Sequence, residues 1–89
     1  MAISVDQLGA IDDLLASAAA DNVTVTALRQ AAPGIYATRC DASDVQDEKP
    51  FRSYARCNLF LLDGRDHCVR ITNDPGVATG LIVAPKGPR

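Results

Sequence analysis

No tryptophan occurs in this chain, and phenylalanine and tyrosine contribute two residues each. With so few large side chains the core must be built from aliphatic residues and alanine, and it will be small. No apolar run is long enough to cross a bilayer, which argues against a membrane protein. An excess of positive charge is lacking too: Lys and Arg total 9 against 11 Asp and Glu, for a net charge of −2. A nucleic-acid-binding domain normally presents a concentrated basic face, so no nucleic-acid partner is expected. There is no glycine-rich phosphate loop and no CxxC pair. Three cysteines, an odd number, do not make a secreted disulfide framework, and "MAISVDQLG" lacks the basic start of a signal peptide. The expectation is a cytoplasmic protein with reduced thiols.

What is present suits a globular fold, with 47% hydrophobic and 22% charged residues. "SVDQLGAIDDLLASAAADN" reads as a helix. Ser4 and Gln7 form a capping-box pattern, Leu8, Ile11, Leu15 and Ala18 recur at helical spacing, and Asn22 is the expected stop. A shorter helix follows, capped by Thr24 or Thr26 and ended by Pro33-Gly34. Arg29 is its only basic residue, which speaks against a DNA-recognition helix.

Beyond Gly34 the period changes to two. Strands are expected at "IYATRC" (35–40), "RCNLFLL" (56–62), "HCVRIT" (67–72) and "GLIVA" (80–84). The second is apolar on both faces near its end, as a central strand would be. "DGRD" reads as a tight hairpin turn and "NDPG" as a turn with Asp74 capping a helical turn through Ala78. The predicted fold is α+β, with two N-terminal helices packed on a mainly antiparallel sheet of about four strands. One domain spans residues 1–84, and residues 85–89 are expected to form a disordered tail. An uncovered edge strand, "IYATRC" or "GLIVA", would offer a route to a homodimer.

His67 and Cys68, the lone histidine beside a cysteine, invite a metal or catalytic reading. Neighbours on a strand point to opposite faces, so His67 goes with Val69 and Ile71, and Cys68 with Arg70 and Thr72. One metal could take both only if a bulge or turn broke that alternation. A tight hairpin sets Leu59, Phe60 or Leu61 opposite Cys68, at least two positions from Cys57, which places a Cys57–Cys68 disulfide near or beyond reach. With Phe60 opposite Cys68, Cys57, Leu59 and Leu61 share the His67 face and turn toward the helices; with Leu59 or Leu61 opposite it, Asn58, Phe60 and Leu62 join His67 instead and Cys57 falls on the Cys68 side. A metal site would instead draw on Cys40 with Cys68 or His67, and on Asp41 or Asp44 for oxygen; zinc or iron would take such ligands. A thiol redox sensor would need one cysteine of depressed pKa. No nucleophile, base and oxyanion donor assemble from the sequence, so no enzymatic activity is expected.

The connection from Asp41 to Arg56 runs from acidic to basic with aromatics interleaved. Phe51, Arg52 and Tyr54 are the residue types that anchor protein interfaces, and they are the candidate partner-binding residues. The competing reading tucks Phe51 and Tyr54 under the sheet edge.

One wider pattern remains: Leu28, Arg29, Pro33 and Gly34; Cys40, Asp44 and Val45; His67 and Cys68; and Thr72, Asp74, Ala78, Thr79, Gly80 and Ala84. Over residues 25 to 84 it resembles a family of small, functionally uncharacterised proteins found among the nitrogen-fixation genes of proteobacteria. The resemblance implies an accessory role in the cytoplasm of a nitrogen-fixing cell. Such a protein would contact nitrogenase or its assembly proteins, or handle iron or sulfur for them. Cys40, His67 and Cys68 fall on the pattern and Cys57 does not, which makes Cys57 the filler thiol. The expectation is therefore a non-catalytic accessory protein acting through protein contact. The alternative is a metal or iron–sulfur binding protein using Cys40, Cys68 and His67 or Asp44.

Overall fold

A computed structural model describes residues 3–45, 47–65 and 69–86. Helix α1 (Val5–Leu15) starts where the capping box predicts. The Ser4 hydroxyl accepts from the Gln7 amide at 3.1 Å, and the Gln7 side chain accepts from the Ser4 amide at 3.0 Å. The helix ends at Leu15, well short of Asn22. After Ile11 and Leu15, both fully buried, the alanine run offers nothing large to bury, and propensity alone does not hold a helix in water. Asn22 instead opens helix α2 (Asn22–Ala31), and the cap is Asp21, whose carboxylate accepts from the Thr24 amide at 2.9 Å. Neither Thr24 nor Thr26 caps it. Thr24 is buried, and the Thr26 hydroxyl donates back to the Asn22 carbonyl.

Among the described residues five strands follow: β1 (Tyr36–Arg39), β2 (Arg52–Ser53), β3 (Cys57–Asp63), β4 (Arg70–Thr72) and β5 (Gly80–Pro85). The four expected strands are among them, though residues 67 and 68 of "HCVRIT" lie outside the described residues. The sheet is mixed. Its order is β1-β5-β3-β2, with β4 also on β3; β1 and β5 run parallel and every other pair is antiparallel. Pairing of Arg52 with Leu59 and of Leu61 with Thr72 sets β2 and β4 end to end along one edge of β3. Strand β5 lies between β1 and β3, so "GLIVA" is interior, and of the two suggested edges only β1 is one. The last strand also includes Pro85, paired with Cys57, one residue into the expected tail; residues 87–89 lie outside the described residues.

Strand β2 was not expected. It reaches β3 through Ala55-Arg56, with the Tyr54 amide donating to the Cys57 carbonyl at 2.8 Å. Neither turn residue has a positive φ, so the turn is not of the mirror-image type that Asn-Gly or Asp-Gly announces.

The β3–β4 register also differs from expectation. Leu61 pairs with Thr72, Leu62 with Ile71 and Asp63 with Arg70, leaving residues 64–69 as the connection. None of the three registers anticipated for a tight "DGRD" hairpin occurs. The Asp63 carboxylate accepts from the Arg65 amide at 3.1 Å and from the Arg65 guanidinium at 2.9 Å, a local turn that competes with strand pairing. The Gly64 amide donates to the Thr79 hydroxyl at 2.8 Å, which ties the exit of β3 to the approach of β5. At "NDPG" the Asp74 side chain accepts from the Gly76 amide, and a single turn leads to the buried Ala78.

The helices cover one face of the sheet. Ile11, Leu15, Leu28, Cys57, Leu59, Leu61, Leu81 and Val83 are fully buried there. Burying such side chains contributes roughly 1.5–3 kcal/mol each, and this layer carries most of the stability. On the other face a smaller cluster of Phe60, Val45 and Ala84 is roofed at one end by a 3-10 turn, Ala42–Val45.

Candidate functional site

Phe51, Arg52 and Tyr54 are held by the fold itself. Phe51 and Tyr54 pack, partly buried, against the main core, as the competing reading had it. The Tyr54 hydroxyl donates to the Asp12 carboxylate at 2.6 Å, and the Arg52 guanidinium pairs with the other Asp12 oxygen while lying over the Phe51 ring at 5.1 Å. Because Arg52 and Tyr54 are two apart on an extended chain, both turn toward α1, and Asp12 is met by both. Burial works against the Asp12 carboxylate, but the Tyr54 and Arg52 hydrogen bonds outweigh it and hold its pKa below the ordinary value. Burial, then the hydrogen bond to the negative Asp12, drives the Tyr54 pKa well above the ordinary range. The trio is a clamp between the β2–β3 hairpin and α1. In the sequence Asp12 falls off the apolar stripe of α1, with Asp13 and Ser17, and reads as a solvated position.

The cysteines separate across the sheet. Cys57 lies in the helix-side core, while Cys40, just past β1, packs with Val45, Phe60 and Ala84 on the opposite face. Burial raises both thiol pKa values, and the charges of Asp44 and Asp41 raise that of Cys40 further. Neither shows the depressed pKa that a thiol sensor needs. Cys40 and Asp44 do come together, with the Asp44 carboxylate also accepting from the Asp41 amide at 3.3 Å. Among the described residues, no third His, Cys, Asp or Glu joins such a pair in an arrangement able to hold a metal. His67 and Cys68 lie outside the described residues, so the parity drawn for them is read from the sequence alone. Strand β4 begins at Arg70 beside Asp63, at the end of the sheet where β1 begins, whereas Cys40 lies where β1 ends.

The surface left available is the face of the sheet away from the helices. Register places Tyr36, Gly80, Leu62 and Ile71 in one row across β1, β5, β3 and β4, with Ile82 on the same face two residues along β5. Tyr36 is 61% exposed and Val69, leading into β4, is 62% exposed; Leu62, Ile71 and Ile82 are half-buried. Gly80 forms the floor of the row. A Cβ there would stand 3.2 Å from the Tyr36 carbonyl oxygen and 3.4 Å from a Leu62 methyl, so a side chain would crowd its neighbours. Among the described residues this row is a continuous apolar strip with no element laid over it, and contiguity distinguishes it from scattered surface hydrophobics.

The free edge of β1 is a different surface. The Tyr36 and Cys40 amides point to β5, donating to the Thr79 and Val83 carbonyls, so the groups of Ala37 turn outward. The Ala37 carbonyl accepts from the Arg29 guanidinium at 3.1 and 3.3 Å, and Arg39 reaches back to the Asn22 side chain at 3.0 Å. Strand addition at this edge would have to displace Arg29.

No curated protein and no solved structure matches the chain. A family model does match, over residues 10–86: the chain belongs to DUF6129, a family of unknown function.

Proposed function

We propose that this protein is a non-catalytic accessory module that acts by binding another protein through the helix-free face of its sheet. One observation carries the reading: the uncovered apolar row of Tyr36, Leu62 and Ile71, with Ile82 and Val69 beside it. An exposed aromatic among half-buried aliphatic side chains on a sheet is the composition of an interface core. The clamp of Asp12, Arg52 and Tyr54 then has a supporting role, holding the hairpin that borders this sheet. The resemblance to proteins of nitrogen-fixation genes puts nitrogenase and its assembly proteins first among the partners to try.

The test is capture of nitrogenase and its assembly proteins by the immobilised full-length protein from anaerobic extracts of nitrogen-fixing cells. Tyr36→Glu should abolish a specific capture, and Arg52→Ala should retain it. Capture that survives Tyr36→Glu but is lost with Phe51→Ala and Arg52→Ala would return the interface to the hairpin. Iron and zinc measured in the same preparation address the alternative. Stoichiometric metal that disappears in Cys40→Ala would favour a metal-binding role for Cys40 and Asp44 with His67 and Cys68.

A further inference from the structure

We infer that Arg29 is a guard on the open edge of the sheet: by occupying the outward carbonyl of Ala37 it closes β1 to a further strand, and the strand it excludes is β1 of a second copy. The inference concerns the edge and not the helix-free face, so it stands apart from the binding reading above. Strand β1 is paired on one side alone, with β5. The Tyr36 and Cys40 amides donate to the Thr79 and Val83 carbonyls, so alternation turns the amide and carbonyl of Ala37 and of Arg39 away from the sheet. Such an edge is a template for strand addition, and proteins blunt it by keeping it short or with proline, a bulge or an outstretched charge. Strand β1 is short, but it holds no proline and its register with β5 runs unbroken from Tyr36 to Arg39. Its one charge, Arg39, is folded back onto the Asn22 side chain at 3.0 Å.

The protection comes from α2 instead. Arg29 stands in its last turn, and Gly34, with φ 89°, lets the chain reverse after the helix so that β1 passes within reach. Nε and Nη2 of the guanidinium both donate to the Ala37 carbonyl oxygen, at 3.3 and 3.1 Å. That oxygen has two lone pairs and the fork takes both, so an amide of an arriving strand finds no acceptor there. Arg29 is itself exposed, which puts the guard on the surface where such a strand would arrive. A second copy supplies the strand that fits. An antiparallel pair about a two-fold axis at Thr38 sets Ala37 of each copy opposite Arg39 of the other. Those are the outward residues on both strands, so all their main-chain groups would be bonded. The same register keeps each Arg39 opposite an alanine rather than another arginine.

Sedimentation equilibrium of the full-length protein tests the guard. Arg29→Met keeps the aliphatic stem and removes the donors, and it should raise the self-association constant roughly tenfold or more over the native protein. Adding Arg39→Pro should return that constant to the native value, because proline removes an outward amide and leaves the β5 ladder untouched. A folded Arg29→Met that associates no more than the native protein would overturn the inference. So would association that survives Arg39→Pro, since the contact would then lie elsewhere. If Arg29→Met loses its far-ultraviolet helical signal, Arg29→Gln, shorter and lacking the fork, carries the test with the same expectation. Loss of the fold in both variants would make Arg29 a structural prop and would overturn the guard as well.

Discussion

Two faces of one sheet, made by alternate residues of the same strands, live in different surroundings. Leu81 and Ile82 are neighbours on β5, yet Leu81 is fully buried under the helices and Ile82 is half-buried on the other side. Cys57 and Cys40 divide in the same way. In a chain this small and this poor in aromatics, one face suffices for a close-packed core, and the other is left apolar and only partly covered. On the reading proposed above, stability and binding belong to opposite sides of the same backbone. A change on one side need not disturb the other.

The sharpest way to break that comparison is chemical labelling of the thiols. Cys57 should react with a thiol reagent only through opening of the core, on the order of a hundredfold or more slower than the half-buried Cys40. Both should lag an exposed thiol, because burial raises both pKa values and so depletes the thiolate. Mass-spectrometric labelling of the native protein reads the ratio, and equal rates at the two sites would show that the helix-side core is not closed. Next in size is the pair of truncations on β5. Leu81→Ala should cost about 3 kcal/mol in urea unfolding. Ile82→Ala should cost only about 1 kcal/mol, since part of its surface is already in water. Equal losses would mean that the second face is packed as tightly as the first.

The clamp between the hairpin and α1 offers a smaller effect with a distinct pH signature. Tyr54→Phe should cost about 1 kcal/mol, discounted because Asp12 and Arg52 are partly exposed. The folded Asp12 pKa is depressed, so its contribution is complete above the ordinary aspartate value of about 4 and is lost as pH falls through the folded value. The folded Tyr54 pKa is raised, so its contribution is complete below the ordinary tyrosine value of about 10 and is lost as pH rises through the folded value. Urea midpoints measured across pH should therefore fall at both extremes in the native protein. In Tyr54→Phe the alkaline fall should shrink most, since the phenol itself is gone.

Local signals in the sequence were dependable and remote ones were silent. The capping box at Ser4 and Gln7, the alternation of β1, and the apolar runs of β3 and β5 are all interactions or periodicities within a few residues. Some expectations failed on local competition, as where Asp21 rather than Thr24 or Thr26 caps α2 and where Asp63 engages Arg65 within "DGRD"; others depend on a distant partner or an uncommon turn. Thr79 grips Gly64 at the exit of β3, and β2 is joined to β3 by a turn of Ala55 and Arg56 that carries no turn-forming residue. Helix α1 stops at Leu15, after which the run offers only small side chains such as Ala18 and Ala20 to the core, too little burial to hold another helical turn. At the candidate site the residue types of Phe51, Arg52 and Tyr54 were legible, but their engagement by Asp12 was not. The apolar row was half-visible. Strands apolar on both faces announce a second covered side, while only the register brings Tyr36, Leu62 and Ile71 side by side.

The smallest expected effect is also the most useful control. Gly9 lies on the exposed side of α1, and nothing within 4 Å would meet a Cβ built there. Gly9→Ala should therefore raise stability by about 0.5–1 kcal/mol, through helix propensity and a less flexible unfolded chain. Because Gly9 belongs to neither face of the sheet, the gain should appear in urea unfolding with no change in sedimentation mass or partner capture. Placed together with Tyr36→Glu, it offsets any stability lost by a carboxylate on the apolar row. If that double variant no longer binds while unfolding at the native midpoint, the defect belongs to the surface and not to unfolding. If Gly9→Ala altered association by itself, α1 would be part of the interface, and the division between a face for stability and a face for binding would fail.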